Sequence, residues 1–311
     1  MKRRYPLNKD YKLLGHMKMP LNLHIIKIAN KAVDISFHIA PIGKGLQMRK
    51  FLIPTRDQDN IQAYLIEPLN QTAKLPLICY YPGGGFLMTA TAFHKMVAAK
   101  FAKECLARVL IVKYRLAPKH LFPTALFDVI DTHHYVINHA EKLRIDTLKI
   151  VVSGDSAGGN LACGLTHYCR DFHLTMPLGQ LLIYPGLDEA NAEGSRTFFQ
   201  DTPMFSGQNL AMIENLYYQN GFGDLEVYSS PLKAPSFQGL PHTYIETAEF
   251  DPLRDDGIKY ASKCMEANVS VTLIQTKGTP HGYDGILLAK TTIECVKSRI
   301  NWLKDIFQLG E

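Results

Sequence analysis

A serine between glycines, a run of carboxylates and a lone loop histidine stand far apart in this chain, in that order. The serine is Ser156, in Gly154-Asp155-Ser156-Ala157-Gly158-Gly159. The carboxylates lie in Glu249-Phe250-Asp251-Pro252-Leu253-Arg254-Asp255, and the histidine is His281, in Pro280-His281-Gly282-Tyr283. A serine hydroxyl is a poor nucleophile at neutral pH and needs an imidazole to take its proton. The imidazole in turn needs a carboxylate to fix its tautomer and stabilise its charged form. The chemistry such a set would do is attack on a carbonyl, with the acyl group carried on the serine. Attack creates an oxyanion, which requires N–H donors already in place. Tyr81-Pro82-Gly83-Gly84-Gly85-Phe86 follows a strand-like run and can present backbone N–H groups without side-chain obstruction. Ala157, directly after the serine, offers another.

To expose its side chain, the serine must sit on a sharp turn between a buried strand and a helix. The β-branched run Ile150-Val151-Val152 precedes it, and Asn160-Leu161-Ala162-Cys163-Gly164-Leu165 follows with helical spacing. Similar apolar runs recur along the chain: Leu75 to Tyr81, Val109 to Tyr114, Leu181 to Tyr184, Thr243 to Glu246 and Val269 to Gln275. Runs this continuous suit strands buried on both faces of a parallel sheet. Phe122 to Ala140, with Pro123 in its first turn, reads as a helix, as do Asp256 to Ala267 and Gly285 to Phe307. The alternation predicts an α/β fold, a mostly parallel central sheet flanked by helices. Phe51 to Glu67 reads as an antiparallel edge pair, turning at Arg56-Asp57-Gln58-Asp59-Asn60.

Two segments break the alternation. Leu21 to Ile39 is an amphipathic helical stretch with Leu23, Ile26, Ala29, Val33 and Phe37 on one side. Asp188 to Gly223 is polar and irregular. Both are expected to pack together as a lid over the strand ends. The division expected is an N-terminal cap segment at 1–45, a first core part at 46–187, a cap insertion at 188–223 and a second core part at 224–311.

The composition is that of an ordinary soluble globular protein, 46% hydrophobic and 20% charged over 311 residues, enough to bury a substantial core. A formal charge of +5, with Lys2-Arg3-Arg4 as its only tight basic cluster, argues against a nucleic-acid partner. No apolar run approaches a membrane span, and Met1 to Lys12 lacks the apolar stretch of a secretory signal. The six cysteines are scattered without a C-x-x-C pair and read as reduced thiols. The expectation is a cytoplasmic protein without stable membrane insertion, needing neither metal nor organic cofactor.

Taken with Tyr114-Arg115-Leu116-Ala117-Pro118, Phe122-Pro123 and Asn160, these motifs resemble the hormone-sensitive lipase family of α/β-hydrolases, over roughly Leu75 to Leu288. The resemblance implies a helical cap over an α/β-hydrolase core. It implies the catalytic set Ser156, Asp251 and His281, selecting Asp251 over Asp255 and Asp256, between which the residue chemistry alone does not choose. It also implies oxyanion donors at Gly84, Gly85 and Ala157. One position departs from the family. A histidine usually precedes the three glycines, and Pro82 stands there, so the loop must be braced by something else. His94, eight residues past Phe86, reads as structural or as part of the pocket rim. The function expected is hydrolysis of short- to medium-chain carboxylic esters, a small-molecule substrate class, through an acyl-serine. Alternatives are an amide deacetylase or peptidase on the same three residues, or a non-catalytic ligand-binding protein of the same fold. By analogy with related enzymes the chain could form a homodimer.

Overall fold

Apolar runs with no polar face demand cover on both sides, and the computed structural model, which describes residues 5–20, 22–189 and 191–308, provides it. Among the described residues, eight strands form one sheet: β1 (Leu46–Pro54), β2 (Asn60–Pro68), β3 (Leu75–Tyr81), β4 (Arg108–Lys113), β5 (Ile145–Asp155), β6 (Gly179–Ile183), β7 (His242–Thr247) and β8 (Val271–Gln275). Their order is β1-β2-β4-β3-β5-β6-β7-β8. The β1/β2 and β2/β4 pairs are antiparallel and the rest are parallel. Alternate residues of β3 feed two separate cores: Leu77, Cys79 and Tyr81 face one side, Ile78 and Tyr80 the other.

The helices are α1 (Leu23–Ile39), α2 (Ala92–Glu104), α3 (Thr124–Asn138), α4 (Ala140–Leu143), α5 (Ala157–Asp171), α6 (Ser195–Phe198), α7 (Gly207–Tyr217), α8 (Glu226–Ser229), α9 (Arg254–Glu266) and α10 (Lys290–Gln308). Val129, Leu161 and Tyr260 of α3, α5 and α9 pack into one core; Phe101 and Leu303 of α2 and α10 pack into the other. Sequence reading did not mark α2 or α7. Buried Val97, Ala98, Ala99, Phe101 and Ala102 crowd α2 and blur its periodicity. Both helices begin with a capping box closed by a residue other than Glu or Gln, His94 on Thr91 and Asn209 on Ser206. The last helix starts five residues later than expected, because a short 3₁₀ turn occupies Tyr283–Gly285. Leu21 and the Lys2-Arg3-Arg4 cluster lie outside the described residues.

The order of strands places the functional loops. From β3 the chain passes to β4 on one side and later returns to β5 on the other, so the loops leaving β3 and β5 diverge and open a crevice between them. The strand β1 pairs with β2 in a hairpin whose register runs from Leu46↔Pro68 to Pro54↔Asn60. Residues 17–19, just before the Leu21 to Ile39 stretch, meet the Asp188 to Gly223 segment: Lys18 bridges Met204, Met19 N–H donates to the Met204 carbonyl (2.8 Å), and Met204 N–H donates to the Met17 carbonyl (2.8 Å).

Candidate active site

The turn after β5 is dictated by steric crowding. A Cβ at Gly154 would run into the backbone of Gly158, and one at Gly158 would run into the carbonyl of Tyr81. Only glycine at both places lets α5 leave the sheet so close to β3. Ser156, between them, adopts φ 54° and ψ −121°, a conformation that L residues rarely take, and its N–H donates to the Ile183 carbonyl (2.8 Å). The strain holds the hydroxyl above the strand ends rather than within the helix.

Asp251 and His281 reach this hydroxyl from loops after β7 and β8. A bridge between Phe250 and Pro280 ties the two loops together, with Phe250 N–H donating to the Thr279 carbonyl (2.9 Å). His281 Nε2 lies 2.9 Å from Ser156 Oγ, and His281 Nδ1 lies 2.7 Å from Asp251 Oδ2. The Leu253 N–H donates to Asp251 Oδ1 (2.8 Å), so both carboxylate oxygens are held. Asp251 is fully buried, and Ser156 and His281 are nearly so. Asp255 accepts from the Ser195 N–H (2.8 Å), and Asp256 pairs with Arg196 (2.6 Å). Of the three aspartates left open by residue chemistry, Asp251 is the one facing the histidine.

The glycine loop closes the opposite side. Gly84 has φ 135°, and a Cβ there would press on Met88. Among the described residues, nothing accepts a hydrogen bond from the N–H groups of Gly84, Gly85 or Ala157. Gly84 and Gly85 share the lining of one pocket with Ser156, and Ala157 follows the serine directly. The loop is braced through Asp155, the residue before the serine. Asp155 Oδ1 accepts from Gly83 N–H (3.0 Å) and from Tyr80 O–H (3.0 Å), and Asp155 Oδ2 lies 3.3 Å from His94 Nε2. Burial opposes the charge of Asp155, but His94 and the Gly83 N–H outweigh it and hold the carboxyl below its usual range. Pro82 takes part through its carbonyl, which accepts from Tyr114 O–H (2.6 Å). This is how the loop manages without a histidine at position 82.

Other neighbours were not legible in the sequence. The rings of Tyr184 and Phe205 each pack 4.7 Å from that of His281. Tyr184 O–H donates to Asp284 Oδ1 (2.5 Å), Asp284 pairs with Arg299 (2.9 Å), and Arg299 also pairs with Glu246. Aromatic residues beside polar loops have many structural uses, and no spacing rule singles these out. The pocket above Ser156 holds about 390 Å³ and is almost wholly apolar. Met17, Met19, Met88, Met204, Phe93 and Phe205 supply much of its wall. Among the described residues no three His, Cys, Asp or Glu side chains converge as metal ligands do, and no helix is long and apolar enough to cross a membrane.

A family model described as the alpha/beta hydrolase fold matches residues 78–285. The esterase LipI of Mycobacterium tuberculosis is 32% identical over 218 residues, 68% of this chain and 67% of that protein. The carboxylesterase NlhH of the same organism is 35% identical over 213 residues, 67% of this chain and 66% of its own length. The match thus spans about two thirds of these relatives. Solved structures align more fully. A bacterial heroin esterase is 28% identical with a TM-score of 0.89, covering 97% of this chain and 98% of its own. An esterase from the hyperthermophilic archaeon Pyrobaculum calidifontis is 30% identical with a TM-score of 0.87, covering 97% and 99%. With its motifs in the family's order and its fold shared across nearly the whole length, the chain belongs to the hormone-sensitive lipase family of α/β-hydrolases.

Proposed function

We propose that the protein is a serine carboxylesterase that hydrolyses short- to medium-chain esters. The observation that carries this reading is the unbroken relay from Asp251 through His281 to Ser156, at the floor of an apolar pocket. The esterase names of its relatives support it. In the proposed mechanism His281 Nε2 accepts the Ser156 proton as Oγ attacks the ester carbonyl, and Asp251 stabilises the imidazolium. The oxyanion is received by the N–H groups of Gly84, Gly85 and Ala157. The C–O bond to the alcohol then breaks, and the alcohol leaves with the proton held by His281. Water, deprotonated by His281, attacks the acyl-serine; collapse releases the carboxylic acid and returns the proton to Ser156. Segments 1–45 and 188–223 act as the cap that roofs this chemistry. An apolar pocket of this size favours acyl groups from acetyl to roughly hexanoyl over long chains.

Hydrolysis of p-nitrophenyl esters from acetate to palmitate, by wild type and Ser156→Ala, tests the reading. Activity concentrated on short chains and abolished in the variant is expected. A decanoyl or longer optimum refutes the chain-length assignment. A folded wild type that cleaves matched amides but not esters refutes the ester assignment.

A further inference from the structure

Helix α1 buries one face and displays the other. Ile26 and Phe37 are buried, and Asn30 fastens the helix to the loop beyond the glycines, donating to the Leu87 carbonyl (2.6 Å) and accepting from Thr89 N–H (3.0 Å). The opposite face carries Ile25, Ile28, Ala32, Ile35 and Ile39. The four isoleucines are 52%, 71%, 62% and 77% exposed, and Ala32 is exposed between them. A single exposed isoleucine needs no explanation; four in one row do. Their 3-4-3-4 spacing is the a and d pattern of a heptad. That pattern makes a narrow seam suited to one facing helix, not the broad apolar face that sinks into a lipid interface.

We propose that this seam is the contact with a second copy of the chain, α1 packing antiparallel on its symmetry mate. The row reads nearly the same in either direction. Ile25 and Ile39 stand seven residues either side of Ala32, with Ile28 and Ile35 inside them. A two-fold axis near Ala32 therefore lays isoleucines on isoleucines, and the small alanine lets the helices approach closely at their crossing. The isoleucines alone would remove on the order of 900 Å² from water across both copies, at the low end of specific interfaces, so micromolar affinity is expected. Lys31 flanks the seam next to Ala32 and meets its own equivalent across the axis. Asp34 is already engaged by Lys113. That like-charge contact weakens the pair, and added salt should tighten it.

Sedimentation velocity across the micromolar range, at low and high salt, tests the proposal. Wild type is expected to dimerise, more tightly at high salt. The double variant Ile28→Lys/Ile35→Lys should associate at least ~100-fold more weakly, while Leu148→Lys, an exposed site elsewhere, should associate as wild type does. Circular dichroism checks that the variants are folded. Ala32→Cys, which barely perturbs the helix, gives an independent reading. A short bismaleimide should link it to itself and should not link Leu148→Cys. In an antiparallel pair, Ile25→Cys lies roughly 20 Å from its own equivalent. It should therefore cross-link only when mixed with Ile39→Cys. A monomeric wild type at every concentration overturns the proposal. So does a dimer indifferent to the double variant, self-linking of Ile25→Cys, or a monomer captured through α1 on phosphatidylglycerol vesicles.

Discussion

The two walls of the pocket are built on opposite plans. On the wall of Ser156, His281 and the glycine loop, the polar groups other than the N–H groups of Gly84, Gly85 and Ala157 have named partners. Asp251 is held by two bonds, Asp155 by three groups, and the Pro82 carbonyl by Tyr114. The facing wall, Met17, Met19, Pro20, Met204 and Phe205, is apolar and rich in thioethers, and 17–19 and 204 are joined backbone to backbone. Nothing in those bonds directs the side chains. Placement within tenths of an ångström is needed where bonds form and break, and there the protein spends hydrogen bonds. Where only apolar surface must be covered, flexible methionine suffices and adapts.

The largest effect is expected on the directed wall. Asp251→Asn keeps the shape but removes the charge that orients His281. A fall in kcat of about 10⁴-fold is expected with little change in KM, measured on p-nitrophenyl acetate. If the variant keeps activity within tenfold of wild type, orientation is not what that wall provides, and the contrast collapses. Asp155→Asn attacks the brace rather than the reacting groups and should lower kcat about tenfold, again with KM nearly unchanged. Its pH signature has a definite sign. The folded-state carboxyl lies below its usual range, so its stabilising effect is complete at neutral pH and is lost as pH falls. The difference in urea stability between wild type and Asp155→Asn should shrink as pH drops from about 4 towards 3. A difference that grows instead would mean the carboxyl is protonated in the native brace.

The directed wall was also the readable one, for a physical reason. Gly154, Gly158, Gly83 and Gly84 are fixed by close backbone approach and Gly85 by its positive φ, and with Ser156 between the first two their spacing appears in the sequence. Continuous apolar runs announced the inner strands, and β3 at Leu75–Tyr81 lies where its run predicts. Asp251, by contrast, was separated from Asp255 and Asp256 only by the family resemblance. All three carboxylates are close in sequence, and their partners, His281 in a loop and Ser195 and Arg196 in α6, come from distant segments. The role of His94 was half legible. Its reading as structural agrees with its buried place beside Asp155, but no local pattern tells that it supports the glycine loop. The methionine wall left no trace, because apolar residues from 17–20 and 204–205 are joined only by tertiary pairing.

The smallest effect, and the sharpest test of the contrast, comes from the methionine wall. Met204→Ala removes a flexible side chain beside Phe205 and leaves the backbone bonds to Met17 and Met19 available. Because the reacting groups are held from the other side, kcat on the acetyl ester should stay within about twofold. The added space should accept longer acyl chains, and each methylene newly buried contributes about 0.8 kcal/mol, or roughly fourfold. The ratio of kcat/KM for hexanoate over acetate is therefore expected to rise about fourfold or more. An unchanged ratio with altered preference among alcohols would place Met204 on the leaving-group side. A tenfold loss of kcat on acetate would show that the adaptable wall also positions the chemistry, and the division between the two walls would fail.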